Sequence, residues 1–522
     1  MRSRFGVVVL VAVAIVAALG AASTEAHAVS APAAHRATPT IPPTDWPAYL
    51  NGTKHHSYNA SEKAISPGDV AQLVRRWEFT AGDGYLSSPT VFGGAVYIGA
   101  NNGWLYKLSM ASGKVLAKRF LGTVNITSCP APPTGMVSTA TVALSSKTGN
   151  ATVYVSGANG YLYALSASNL TVEWKSVIAI PSHSVNNYFD WSSPSVAYGR
   201  IYIGVSSNCD SPLIRGGIVS FDQQTGTRLA VFRTVPANNV GGSVWSSVAV
   251  ASDGDVYAST GNGPFGSGQE QLLGYSESII KLSPGLRFLG RFQVPPSEEG
   301  FDTDFGASPV LFDNYVGACN KNGIFYALHQ STMKLAWERQ ISGPAGDVSE
   351  CIASPVWNGK HLFFGTPETN LAGVSYSGSV QERDPDGKLV WFTGLPNGVD
   401  GSPTMDGAGV LAVGTYDDTS IPNAIYLLSS DGRILRKLVA GLDFAESVFA
   451  DSALVTANQY GVSVWTVGGR APAGRELGVT RTSQTPRAIS SPPSAPRFGH
   501  PGAFLRPGSP PRAERSEVLQ NS

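Results

Sequence analysis

The chain has 522 residues, a formal net charge of zero and only 14% charged residues. The neutral balance excludes the basic footprint of a nucleic-acid binder. The 58 glycines, 10 tryptophans and 19 tyrosines describe a β-rich body with glycine-rich turns, and the length suits either two or three ordinary domains or one long repeat fold.

The first element is an export signal. Arg2 and Arg4 form a basic start, an apolar run follows from Gly6, and Ala26-His27-Ala28 offers a small-x-small cleavage site. Residues 1–28 are therefore read as a signal peptide. The mature chain is expected to be secreted or held in the cell envelope, with no membrane span after cleavage. Residues 29–44 are rich in Ala, Pro and Thr and are read as a flexible linker. The adjacent His55 and His56 that follow have no third metal ligand in their motif.

From residue 45 to 469 the sequence repeats itself. A Ser-Pro-Thr-Val-like tetrad recurs as SSPTV (87–91), STATV (138–142), SSPSV (192–196), SSVAV (246–250), ASPVL (307–311), ASPVW (353–357), GSPTM (401–405) and ESVFA (446–450), at spacings of roughly 45 to 60 residues. Most tetrads are followed by a strand such as VYIG, a Gly turn, a second strand such as LYAL, another turn and often a Trp: Trp174, Trp337, Trp391. Alternating β-branched and aromatic residues between Gly/Asn/Asp turns predict short antiparallel strands. About four per period is the signature of a propeller blade. The fold class is all-β: an eight-bladed β-propeller of four-stranded antiparallel blades. The last copy has only three strands, and LVRRWEFT around Trp77 is expected to supply the fourth, closing the ring without a free edge. Residues 470–522, rich in Pro, Ser and Arg, cannot bury enough surface to offset ordering and are expected to form a disordered tail.

Four cysteines, Cys129, Cys209, Cys319 and Cys351, fit an exported chain with disulfides. None forms CxxC or CxxCH, which excludes a zinc knuckle and a covalently attached c-type haem. All four fall in segments expected on one loop-bearing face, and pairing across adjacent blades predicts Cys129–Cys209 and Cys319–Cys351.

The same face carries the candidate functional residues. Hairpins between second and third strands share it with the loops leading into inner strands. Lys321, in ACNKNGIFYAL, stands in the slot that sister hairpins fill with Asn101 and Ala158. Asn262 in STGNGPF and Asp210 in SSNCDSPLIRGG lie in two more such hairpins, and Trp245, Asp302 and Asp304 precede inner strands. Turn chemistry alone accounts for a lone Asn or Asp, and a lone tip lysine is normally solvated. The shared face and the departure from the sister repeats make these six residues a candidate site.

Three stretches, FDTDFGASPVLF (301–312), VWSSVAVASDGDVYASTGN (244–262) and ACNKNGIFYAL, resemble the quinoprotein alcohol dehydrogenases. They are most similar to the polyvinyl-alcohol dehydrogenase-like branch, as is the opening segment 45–82. The resemblance implies pyrroloquinoline quinone (PQQ) and Ca²⁺ as cofactors. It implies that Trp245 stacks under the quinone, that Asn262 ligates Ca²⁺ together with Asp210 and Asp304, and that Lys321 hydrogen-bonds the quinone oxygens. Asp302 or Asp304 would be the general base. Asp210 stands where the family has a Ca²⁺-ligating glutamate, and the family's pair of adjacent cysteines is absent. The implied activity is oxidation of a small or polymeric alcohol, with electrons passed to a separate acceptor such as a cytochrome c. The alternative is a non-catalytic PQQ-repeat propeller that binds protein or envelope polymer. Lys321→Ala is expected to cost turnover more than folding, because a hairpin-tip side chain carries little packing.

Overall fold

A computed structural model describes residues 40–468, apart from 125–134, 146–147, 180–187, 209, 211, 267–268, 271, 301, 344–349 and 418–420. The signal peptide, most of the linker, the tail, Cys129 and Cys209 lie outside the described residues.

The repeat folds into eight four-stranded antiparallel sheets, and no α-helix occurs among the described residues. Blade 1 runs from its inner strand Thr90–Phe92 through Ala95–Gly99 and Trp104–Ser109 to the outer strand Val115–Phe120. Blade 8 takes its outer strand from the start of the chain: Leu73–Phe79 pairs antiparallel with Val462–Val467, with Leu73 opposite Val467 and Trp77 opposite Val464. The ring is thus closed by joining its two ends, as expected. Each of the eight outer strands carries a register shift, at Arg75/Trp77 in the closing strand and Ala327/Leu328 in blade 5, for example. Such bulges increase local twist, which a splayed blade needs.

The recurring Trp has a structural cause. Trp77, Trp174, Trp337 and Trp391 each lie over the turn glycine of the next blade: Gly113, Gly226, Gly387 and Gly432. A Cβ at any of these glycines would stand within 2.8 Å of the indole. Their positive φ values also favour glycine. The indole N–H of Trp77 donates to the Met110 carbonyl at 2.8 Å, and that of Trp391 to Ser430 at 3.0 Å.

The tetrads meet at the centre. Backbone N–H groups donate from blade to blade: Glu446 to Ser88 Oγ, Ser88 to Thr139 Oγ1, Thr139 to Ser193 Oγ, Ser193 to Ser247 Oγ and Ser247 to Ser308 Oγ, all within 3.0 Å. This ring corrects the tetrad alignment in the last copy. Glu446, not Ser447, occupies the slot of Ser88, because Val448 begins its inner strand as Thr90 begins that of blade 1. The residue two positions before this slot in each blade lines the central channel, from Leu86 and Val137 round to Asp400 and Phe444.

Residues 44–57 circle the inner strands. Carbonyls of Thr44, Pro47, Thr53, Lys54, His56 and Ser57 accept N–H bonds from Asp451, Val142, Val250, Leu311, Trp357 and Met405 in turn, and Trp46 bridges to Val91. One segment thereby satisfies backbone groups that the innermost sheet edges would leave unpaired. His55 and His56 belong to this belt. Their ring nitrogens lie 2.8 and 2.7 Å from the Pro309 and Leu311 carbonyls, and burial holds His55 down at about 4. Both rings are therefore engaged as structural hydrogen-bond donors.

Candidate functional site

The six expected residues come together where blades 3, 4, 5 and 6 meet. Asn262 follows the second strand of blade 4, Val256–Ser259. The side chain is fully buried, and its amide nitrogen donates to Asp210 Oδ2 at 2.8 Å and Asp302 Oδ1 at 2.6 Å. Its carbonyl oxygen Oδ1 is buried without a hydrogen-bond partner. Asp210, half-buried, is oriented by Ser207 Oγ at 2.8 Å. Both Asp210 and Asp302 have left-handed backbones, φ 48° and 57°, a conformation Asp tolerates better than most residues.

Lys321 is buried rather than solvated, with 5% of its surface exposed. Its Nζ lies 3.1 Å from Asp302 Oδ1, 3.0 Å from Asp304 Oδ1 and 3.2 Å from Glu350 Oε2. It also stands over the Trp245 ring, 5.3 Å from the centroid. Asp304 accepts the Trp245 indole N–H at 2.8 Å on Oδ2, while its Oδ1 meets the lysine as an ion pair without hydrogen-bond geometry. Gly261 admits this carboxylate: a Cβ there would lie 3.0 Å from Asp304 Oδ2. The loop is locked to the hairpin by Lys321 N–H on the Asp304 carbonyl and by Asn320 Nδ2 on Thr303.

Burial raises Asp304 well above the usual carboxylate range; Lys321 opposes that shift, and Asp302 and Asp210 add to it. Asp210 and Glu350 are likewise raised, by burial first. Burial pulls Lys321 down, but Asp302, Asp304 and Glu350 reverse that and hold it well above the ordinary lysine range.

Glu350 is the member that sequence reasoning missed. It lies five residues before Pro355, as Asp304 lies five before Pro309, and next to Cys351. That register was the available signal. Cys319 and Cys351 form a disulfide, as expected, with Cα atoms 5.8 Å apart. Cys319 lies two residues before Lys321 and Cys351 one after Glu350, so the bridge clamps the two sides of this ion pair. Beyond Glu350, whose N–H donates to Asp400 Oδ1 at 3.2 Å, the cluster reaches the channel wall.

Asn262 Oδ1, with two carboxylates on its own amide nitrogen, suits a hard cation, which prefers oxygen ligands. Among the described residues, no group of three or more His, Cys, Asp or Glu is spaced to hold a metal by itself. The half-buried Trp245 face beside one ammonium group suits a flat anionic heterocycle. No helix among the described residues is long and apolar enough to cross a membrane.

Comparison with known proteins agrees in fold. A PQQ-repeat family model, described as outer membrane protein assembly factor BamB, matches residues 75–271. No curated protein sequence matches the chain. The structure resembles the quinohemoprotein alcohol dehydrogenase of Comamonas testosteroni (TM-score 0.66, 16% identity, covering 85% of this chain and 83% of that one). It resembles quinohemoprotein alcohol dehydrogenase ADHIIG of Pseudomonas putida HK5 similarly (0.67, 16%, 86% and 84%). A europium-containing methanol dehydrogenase gives 0.63 at 15% identity, covering 80% and 91%.

Proposed function

We propose that this chain is an exported quinoprotein-like dehydrogenase that oxidises an alcohol with PQQ and Ca²⁺ and passes electrons to a separate acceptor such as a cytochrome c. The observation that carries this reading is Asn262 Oδ1, a buried acceptor without a partner, set among carboxylates beside a lysine that stands over an indole face. When bound, PQQ supplies the ortho-quinone that accepts hydride and Ca²⁺ supplies polarising charge. Asn262 Oδ1 and the carboxylates of Asp210 and Asp302 would hold the cation. Trp245 provides the flat surface that orients the quinone. Lys321 provides a fixed donor for negative charge developing at the reacting end of the site. Asp304 takes the alcohol proton: burial leaves its carboxylate basic enough to accept one near neutral pH. The alcohol is small or polymeric, the polymer being favoured by the resemblance of residues 45–82 to the polyvinyl-alcohol branch.

The test is reconstitution with PQQ and Ca²⁺, reading cofactor absorbance and dye-linked oxidation of simple alcohols and polyvinyl alcohol. Asp304→Asn should retain PQQ binding and lose about 10²–10⁴ in turnover, whereas Asn262→Ala should raise the Ca²⁺ concentration required. Absence of PQQ binding at micromolar concentration, on the order of what such a cofactor site needs, sinks the reading. The second reading, a non-catalytic scaffold binding protein or envelope polymer, draws on the BamB description of the matching family model and on a lysine already neutralised by three carboxylates.

A further inference from the structure

The central channel carries a feature that the dehydrogenase reading uses only at Trp245. Trp191 enters it from blade 3 and Phe444 from blade 8, three blades away, yet their ring centroids are 6.0 Å apart. The two rings therefore meet across the channel. Trp245 stands edge to face with Trp191 at 6.2 Å. Gly306 lets Trp245 lie against the wall, since a Cβ there would come within 2.3 Å of the indole. Ile352 and Asp400 belong to the same cavity, which is partly open to solvent and has a free volume of about 50 Å³, room for a few water molecules. Asp400 is 95% buried, its relative exposure being 5%. It accepts a backbone N–H from Glu350, and the charge of Lys321, which pairs with Asp302, Asp304 and Glu350, also reaches it.

We propose that this cavity binds an organic ammonium group, with Trp191, Trp245 and Phe444 as its π walls and Asp400 as its counter-ion. Aromatic faces attract a desolvated cation through their quadrupole, and a buried carboxylate beside them supplies the opposite charge. A bare metal ion is the poorer fit, because the walls offer ring faces where Ca²⁺ or Mg²⁺ needs six or more oxygen ligands. A neutral apolar ligand would add no opposite charge for the Asp400 carboxylate beyond what Lys321 supplies. The surroundings favour positive charge too: Asp210, Asp302, Asp304 and Glu350 outnumber Lys321. The site shares Trp245 with the dehydrogenase reading but needs neither quinone nor Ca²⁺, so a titration without either tests it separately.

The experiment is calorimetric titration of the full chain at constant ionic strength, without PQQ or Ca²⁺. The probes are tetramethylammonium, choline and the uncharged choline isostere 3,3-dimethylbutan-1-ol. Both cations should bind saturably, and the isostere at least about tenfold more weakly. Asp400→Asn, nearly the same shape, should weaken both cations about tenfold and leave the isostere unchanged. Trp191→Leu should weaken the cations too, with folding verified by circular dichroism; if that variant does not fold, Asp400→Asn decides. Equal binding of choline and its isostere, an Asp400→Asn protein that binds the cations as tightly as wild type, or no saturation by about 10 mM would each overturn the proposal.

Discussion

At the residue scale, Lys321 shows how far a side chain's role depends on what surrounds it. Read along the chain it is a hairpin-tip cation; in the fold it is a buried ammonium facing three carboxylates. The expectation that its loss would spare folding therefore changes. Removing one partner from a buried ionic cluster leaves uncompensated charge, which typically costs about 3–5 kcal/mol. Its folded pKa lies above the ordinary lysine value, so its contribution is fully present below that value and is lost only as pH rises through the folded one. The partners titrate oppositely. Asp304 and Glu350 are raised, so both take up a proton more readily as pH falls once the lysine is gone. Urea unfolding of Lys321→Ala should show a large loss of stability at pH 8 and a markedly smaller one at pH 5. Equal losses at the two pH values would mean that the side chain contributes packing rather than charge.

At the element scale, the site depends on two loops from neighbouring blades holding one register. The Lys321 hairpin belongs to blade 5, and Glu350 to the loop entering blade 6. The Cys319–Cys351 disulfide spans 32 residues of sequence. A cross-link of that loop length contributes about 2–4 kcal/mol through the unfolded chain. Cys351→Ser should lower the urea midpoint by a corresponding amount. In the Lys321→Ala background it should also reduce the pH sensitivity attributed above to Asp304 and Glu350, because Glu350 lies next to the bridge. A variant that loses stability but keeps the full pH sensitivity would show that the blades hold the register without the disulfide. The cysteine pattern and the hairpin repeat were both legible in the sequence. That Glu350 sits on the lysine was not, because a residue beside a half-cystine has no local signature of facing a cation.

At the scale of the whole molecule, many buried carboxylates surround the channel and the N-terminal belt. Burial raises Glu446 to about 8, Asp190 to about 7 and Asp406 to about 7. A carboxyl group whose folded pKa lies above its unfolded value favours the fold below the unfolded value, and that stability is lost as pH rises through the folded one. The protein should therefore lose stability between about pH 5 and pH 8. Glu446 gives the clearest test. It accepts Leu50 N–H at 3.0 Å, within the belt that circles the inner strands, and Gln can accept the same bond. Glu446→Gln should leave stability unchanged at pH 5 and raise it at pH 9, by a difference on the order of 4 kcal/mol, read as a higher melting temperature at pH 9. Equal melting temperatures at pH 9 would place the ionised carboxylate in water rather than in the fold.

The sequence by itself determined the architecture. A tetrad and a Trp recurring at one spacing specify blades, because each blade must bury the same faces and hand the same edge to its neighbour. The three-stranded last copy with a spare strand near Trp77 specified how the ring closes. It also brought Lys321, Asn262, Asp210, Trp245, Asp302 and Asp304 to one face, since loops of equal rank in a repeat share a side. Only the tertiary structure decided what these residues do to one another. It buried the lysine among carboxylates, left Asn262 Oδ1 without a partner, set Trp191 and Phe444 across the channel, and engaged His55 and His56 on backbone carbonyls. Those are distances between segments far apart in the chain. Periodicity assigns a residue to a face, whereas pairing and burial depend on which neighbour the closed ring sets opposite it.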